Sequence, residues 1–576
     1  MTWPGWFVIV LFVAIVAAVT RPLGGYIARI AQEGVAVPRR LGAFENGIYR
    51  LAGIDPAREQ SWAGYALSLL CFHLIGIVFL YGLQRLQHLM PLNPQQLDAV
   101  APDLALNTAV SFATNTSWQS YAGETTLSYL SQMAGITAQS FLSAATGIAV
   151  AVAFVRGFAR ASMRTIGNFW VDLTRITLYV LLPICVVASV FLVSQGVPQT
   201  LDAYVEATTL EGGRQLLALG PVASQESIKL LSGDGGGFFN ANSAHPFENP
   251  TALTSSFEML LIFMIGAALT NTFGRMVRDE KQGWALFAAM TILFLAGTAV
   301  VYGGEAEGNP ASSSLGIDQA AGPAQAGGNM EGKEVRFGAV QSALFAMVST
   351  SSSDGAVNAM HDSFMPLPGA VLMINMKLGE VIFGGPGSGL FSMLLLVLLA
   401  VFVAGLMIGR TPEYLGKKIE ADEIKMAMLA LLIVPAFILG AVAIAVVLPQ
   451  GLSGPANEGP HGFSEILYAY TSATATNGSA FAGLGANTPF YNLTIAATMF
   501  AGRFLVIVPV LCIAGSLAAK RRVPASAGTL PTHGPVFVAL LLGTIIVLGG
   551  LAFFPTLVLG PGAEHFSLHG DIAFPR

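Results

Sequence analysis

Four clusters of Thr, Ser, Asn and Gly hold the groups in this sequence best suited to chemistry. They read T-N-T-S-W-Q from Thr114, L-S-G-D-G-G-G from Leu231, S-S-S-D-G-A from Ser351 and T-A-T-N-G-S from Thr474. Each closes a semi-apolar run of helical length, over residues 104–116, 222–235, 337–355 and 463–478. Aligning Ser117, Gly235, Gly355 and Gly478 gives spacings of 118, 120 and 123 residues, a fourfold repeat of helix, re-entrant turn and helix. A short helix that stops at such a turn aims the negative end of its dipole at whatever lies beyond. The Gly/Ser/Thr/Asn backbone can then direct carbonyl oxygens inward. Four such turns on one axis would replace the hydration shell of a cation and disfavour an anion. Glycine suits the turn because left-handed φ values cost it little. One cluster alone reads as small-residue helix packing; four at even spacing do not.

The elements that must position these turns are membrane spans. Of the 576 residues, 54% are hydrophobic and 11% charged, with a mean hydropathy of +0.65. Soluble domains carry about 25% charge, so lipid is the main solvent. The net charge of −5 gives no sign of a nucleic-acid partner. Runs of roughly 20 apolar residues, the length a span needs, lie at 6–29, 62–83, 133–155, 173–195, 256–273, 284–302, 390–409, 427–448, 491–517 and 534–557. Alternate loops between them hold 20 of the 28 Lys and Arg residues, from Arg21 and Arg58 through Arg156, Arg275 and Lys417 to Arg522. Basic loops face the cytoplasm, which puts both termini and all four clusters outside. Irregular backbone at membrane depth survives only inside protein or lining a water-filled cavity. The apolar run from Trp3 to Val19 lacks a basic leader and a cleavage site, and reads as a retained first helix with an aromatic anchor.

The expected fold is therefore all-α: a polytopic membrane protein with ten transmembrane helices and four helix–pore-loop–helix repeats around a central pore. Its units are a first helix and loop (1–60), repeats at 61–170, 171–282, 283–420 and 421–522, and a last helix with its tail (523–576).

Longer motifs surround the clusters. They are T-N-T-S-W-Q-S-Y-x-G-E-T-T from Thr114, G-G-G-F-F-N-A-N-S-x-H-P-F-E-N-P from Gly235, D-G-A-V-x-A-M-H-D-S from Asp354 and N-G-S-A-F-A-G-L from Asn477, with G-L-M-I-G-R-T-P-E-Y-L-G-K-K-I from Gly405. They resemble the potassium-binding A subunit of the Kdp-type potassium-transporting P-type ATPase, and the resemblance covers essentially the whole chain. It implies the superfamily-of-potassium-transporters fold and high-affinity potassium uptake across a prokaryotic inner membrane. It implies potassium as the transported substrate, no organic cofactor, and ATP hydrolysis by a P-type ATPase catalytic subunit accompanied by smaller subunits. The chain itself has neither G-x-x-x-x-G-K-[ST] nor D-K-T-G. An autonomous potassium channel or cation symporter of the same fold is the alternative.

The resemblance places a potassium filter on Thr114, Asn115, Thr116 and Ser117; Ser232, Gly233, Asp234 and Gly235; Ser352, Ser353, Asp354 and Gly355; and Thr476, Asn477 and Gly478. Two of these are acidic where relatives are expected to be neutral. At a pore mouth Asp234 and Asp354 would gather cations; turned backward they would cap the turn, the reading favoured here. Ser117 stands where Asn is expected.

Three charges fall inside apolar runs. Lys377 and Glu380 precede the glycine run Gly384, Gly385, Gly387 and Gly389, which breaks the second helix of repeat three; broken helices mark pathways and gates. Arg503 is as isolated. A charge at the bilayer centre costs roughly 2.5–3.5 kcal/mol on insertion scales, so it takes a partner or water. Lys377 can also snorkel to the interface. The resemblance sets Glu380 and Arg503 below the filter, and two lone opposite charges suggest a direct pair. Cys71, Cys185 and Cys512 lie far apart and read as small buried hydrophobes. The histidines show no metal-ligand spacing, and His361-Asp362 is read as a brace for the third turn.

Overall fold

The computed structural model describes all residues except 33–38, 324, 525–529 and 570–576, so part of the first basic loop and the end of the tail lie outside it. All ten expected spans are helices long and apolar enough to cross a membrane. The first, α1 (Trp3–Ala31), begins behind a Thr2 cap with Pro4 in its first turn, where a missing N–H is harmless. Next come α2 (Trp62–Leu86), the short α3 (Pro102–Ala113) and α4 (Ser131–Ala159). The unit recurs as α5 (Phe169–Ser194), α6 (Val222–Leu231) and α7 (Ala252–Met276). It recurs again as α8 (Glu280–Glu307), α9 (Gly338–Ser352) and a second helix split into α10 (Pro366–Lys377) and α11 (Ser388–Met407). The fourth copy is α12 (Ala421–Ala445), α13 (Gly459–Thr474) and α14 (Pro489–Ala519), with α15 (Pro535–Leu557) closing the series. Two short antiparallel hairpins, pairing 205–208 with 214–217 and 413–414 with 417–418, decorate loops.

Burial sorts the helices into layers. On α4 nearly every side chain from Ser143 to Phe158 is buried, and Met393–Leu398 of α11 are likewise enclosed. Outer helices turn Phe7, Leu74, Leu432 and Leu551 outward. In lipid this costs little, because acyl chains are as apolar as leucine. Cys71 departs from the expectation of a buried residue: it is exposed on α2, whereas Cys185 is buried and Cys512 partly so. Small residues allow close helix contact, as where Gly24 of α1 meets the Ala268 carbonyl of α7. Polar pins sit at the helix ends. Arg156 grips Asp172 with both Nη atoms at 2.6 and 2.8 Å, and the Tyr65 hydroxyl donates to the same carboxylate at 3.0 Å, joining α4, α5 and α2.

A second pin lies at the end of the bundle where α13 begins. His461 stands between Asp362 (3.1 Å from Nε2) and Glu564 (2.8 Å from Nδ1), tying α13 to the segment before α10 and to the residues beyond α15. Burial opposes the imidazolium, but hydrogen bonds to Asp362 and Glu564 and their charges prevail, pushing His461 from 6.5 to about 10. The raised value means the pin stabilises fully below 6.5 and is lost as pH climbs through about 10. Thermal midpoints of the purified protein between those limits should therefore fall more steeply for the wild type than for His461→Gln. Parallel curves would remove the charged pin.

Candidate functional site

The four short helices α3, α6, α9 and α13 end in the same way. One residue past each helix, or two, the chain turns left-handed, at Asn115 (φ 59°), Gly233 (φ 55°), Ser353 (φ 56°) and Thr476 (φ 56°). The following amide reaches back five residues to the helix: Thr116 N to Ser111 O (2.9 Å), Asp234 N to Lys229 O (3.0 Å), Asp354 N to Ser349 O (3.0 Å) and Asn477 N to Ser472 O (2.8 Å). This satisfies helix-end carbonyls that would otherwise be orphaned. Three of the four left-handed residues are not glycine, contrary to the expectation from the sequence. A left-handed Thr476 is strained by about 1–3 kcal/mol, so the surroundings must hold it there.

The turns meet in a closed ring. Turn one touches turn two through Asn115 Nδ2, which donates to Gly233 O at 2.7 Å and Ser232 O at 3.3 Å. Gly235 of turn two lies against Gly355 and the Asp354 carbonyl of turn three. Gly355 lies against the Asn477 carbonyl of turn four, and Gly478 against the Thr116 carbonyl of turn one. Here glycine is required by contact: a Cβ on Gly355 or Gly478 would run into the neighbouring oxygen, and both residues also have positive φ (88° and 99°). Ser117, the counterpart in turn one, adopts φ 56° with a side chain present. Among the described residues, the equivalent carbonyls of Thr116, Asp234, Asp354 and Asn477 accept no hydrogen bond, so each turn keeps at least one carbonyl oxygen without a donor.

Other groups assigned to the filter are committed elsewhere. The Ser232 and Gly233 oxygens face the Asn115 amide, and Gly235 O accepts from Asn242 Nδ2 at 2.7 Å. Thr114 Oγ1 and Thr116 Oγ1 bond each other at 2.8 Å, and Ser352 Oγ returns to Val348 O at 2.7 Å. Asp354 turns backward: its Oδ1 accepts from Ala356 N at 3.0 Å, as Asn477 Oδ1 does from Ser479 N. Asp234 is fully buried near Ser140 and Arg503. Both carboxylates are fully enclosed by protein. His361 Nδ1 meets the Tyr468 hydroxyl at 2.9 Å, which meets Ser479 Oγ at 2.8 Å, so His361 braces turn four against the segment after turn three. Asn242 was not among the residues singled out, although it lies within the motif from Gly235.

Beneath the ring runs the break between α10 and α11. Gly233 has no room for a Cβ beside Pro386, and Gly385 approaches the Ser352 carbonyl. Gly387 (φ 100°) abuts the Gly147 carbonyl of α4, while Gly384 and Gly389 fold against each other and against Glu380 O. The segment thus crosses under turns two and three. Glu380 accepts from Thr476 Oγ1 of turn four at 2.6 Å. Arg503, on a π-turn of α14, donates to Ser143 O at 3.3 Å. The expected direct pair is not made among the described residues; the two charges instead line one cavity of about 40 Å³ with Ser388 and Thr476. Lys377 points away, its Nζ 3.3 Å from Thr556 Oγ1 and 5.3 Å from the centre of the Phe553 ring.

The family described as potassium-transporting ATPase A subunit matches residues 10–566. The potassium-transporting ATPase potassium-binding subunit of Methylorubrum populi is 64% identical over 568 residues, 98% of each chain. Its namesake in Rhodopseudomonas palustris is 60% identical over 575 residues, 100% of each. A solved structure of the potassium transporter TrkH from Vibrio parahaemolyticus aligns at a TM-score of 0.49 and 14% identity, covering 76% of this chain and 83% of its own.

Gly355→Ala and Gly478→Ala should each destabilise the purified protein by about 2–4 kcal/mol, since a buried backbone must shift. Gly440→Ala, a helix position with open space around it, should be neutral or slightly stabilising. Thermal unfolding of the three variants separates these outcomes.

Proposed function

The chain belongs to the potassium-transporting ATPase A subunit family, and from that premise we propose that it is the potassium-binding subunit of an ATP-driven uptake complex, with the ring of four turns as its ion site. The observation that supports this most is that the four turns close into one ring and that each keeps, at the equivalent position, a carbonyl that accepts no hydrogen bond among the described residues: Thr116, Asp234, Asp354 and Asn477. Dehydrating a potassium ion is costly unless oxygens already stand where its water stood. Four short helices ending at the ring add partial negative charge from their C-terminal ends. The turns cannot collapse when the ion leaves, because each is braced by the next.

The remaining path follows from what lies below. The segment from Leu378 to Gly387 blocks straight descent from turns two and three. The cavity holding Glu380 and Arg503 opens beside it and borders α12 and α14 through Val434 and Val506. The ion therefore leaves the ring sideways, past Glu380, toward a partner that hydrolyses ATP. Glu380 suits the transfer: its carboxylate already touches turn four and can draw the ion off the ring, while Arg503 limits how tightly that carboxylate holds it. With the five basic loops in the cytoplasm, both termini lie outside and the ring opens outward. Smaller subunits of the same complex complete the assembly.

Purification in mild detergent from the native operon tests the reading. A co-purifying ATPase stimulated by potassium is the expected result. A chain that comes away alone and conducts potassium in liposomes would instead be an autonomous channel. Gly235→Asp, which forces a side chain against Gly355 and Asp354 O, should raise the half-saturating potassium concentration tenfold or more, about 1.4 kcal/mol. It should also narrow the preference for potassium over rubidium. Unaltered affinity and preference would take turn two out of the ion site.

A further inference from the structure

Behind turn two lies a buried polar cluster that the transport path does not use. Lys229, on α6, is 2% exposed. Its ammonium reaches Glu226 at 2.7 Å, Glu248 at 2.9 Å and Asn242 Oδ1 at 3.0 Å. Glu248 also accepts from Phe239 N at 2.9 Å, and Ser243 Oγ donates to Glu226 at 3.0 Å. The stretch after turn two is thus folded back and fastened onto its own helix.

Asn242 is the link from this cluster to the ring. A side-chain amide can be turned over, exchanging its oxygen and nitrogen, unless its neighbours forbid it. Here Oδ1 faces three groups that can only donate: Lys229 Nζ at 3.0 Å, Ser243 N at 2.9 Å and Val357 N at 3.2 Å. The amide nitrogen must therefore face the other way, where it donates to Gly235 O at 2.7 Å. Val357 belongs to the chain just after turn three. One side chain consequently fixes the carbonyl of turn two and the backbone of turn three, at the place where Gly235 packs on Gly355 and Asp354 O.

We propose that Lys229, acting through Asn242, is a positioning residue that sets the spacing of turns two and three and so the ring's discrimination among alkali cations. This rests on the reading that the ring binds potassium. Lysine is suited to the role because it has three donors and no acceptor, so it holds the amide in one orientation and cannot be satisfied by the other. Glu226 and Glu248 keep the ammonium charged and in place.

The test titrates potassium and rubidium as activators of ATP hydrolysis in the intact purified complex. Asn242→Asp keeps the Oδ1 acceptor but sets an oxygen against Gly235 O. It should raise half-saturating potassium at least tenfold and shrink the potassium-to-rubidium preference at least threefold. The double variant Lys229→Met with Glu248→Gln, which leaves one fewer buried charge of each sign, should shrink the preference in the same direction. It carries the test if Asn242→Asp does not assemble. Wild-type preference in both assembled variants overturns the proposal while leaving the ring as the ion site. A wild-type complex indifferent to potassium overturns both.

Discussion

A backbone that stops being helical inside an apolar layer has no water to bond, and every detail of the ring follows from that. Each unpaired amide or carbonyl there costs several kcal/mol unless the protein supplies a partner. The four turns answer with the same bond, an amide reaching five residues back to the helix end, and Asn115 and Asn242 supply side-chain donors to turn two. At the equivalent position each turn leaves an oxygen without a donor among the described residues, that of Thr116, Asp234, Asp354 or Asn477. Unpaired oxygens are tolerable at this depth when a cation completes them, which is what the proposed ion site would supply.

The ring is built from mutual contact. Glycine appears where one turn's backbone must lie against the next turn's carbonyl, and left-handed positions fall to Asn115, Ser353 and Thr476 as readily as to Gly233. Strain of that kind persists only where neighbours over-determine the geometry. The neighbours here are amides and hydroxyls behind the ring: Asn115 on turn two, Asn242 between turns two and three, and Tyr468 with His361 beside turn four. With the ring as the proposed ion site, selectivity and fold stability would share the same bonds.

Below the ring the fold gives up helical regularity. Breaking one helix into α10 and α11 exposes backbone, and glycines let that backbone press against α4, α7 and the turns themselves with little void. Glu380 lies within the break and accepts from Thr476 Oγ1 of turn four. A buried carboxylate and a buried guanidinium that share a cavity without touching leave room between them for a third charged species, whereas a closed pair would not.

The ten spans, the four turns and their spacing were legible in the sequence because lipid imposes a strong length and composition rule, and because a repeat declares itself by interval. The isolation of Glu380 and Arg503 was legible because charge is rare in spans, and the break was legible because Gly384, Gly385, Pro386, Gly387 and Gly389 crowd into one short run. The direct Glu380–Arg503 pair, the role of Lys377 and the burial of Cys71 were not, because direction around a helix depends on packing that periodicity does not record. Nor could the sequence say which oxygens of each cluster remain free. Thr116, Asp234, Asp354 and Asn477 look no different from their neighbours as letters; a residue more than a hundred positions away takes up some of those neighbours, as Asn115 does Ser232 O and Gly233 O. Composition and spacing determined that four turns would dip into the membrane, and only the tertiary contacts between turns decided which carbonyls are left without a donor, because hydrogen-bond satisfaction is a property of the assembled neighbours and not of any one segment.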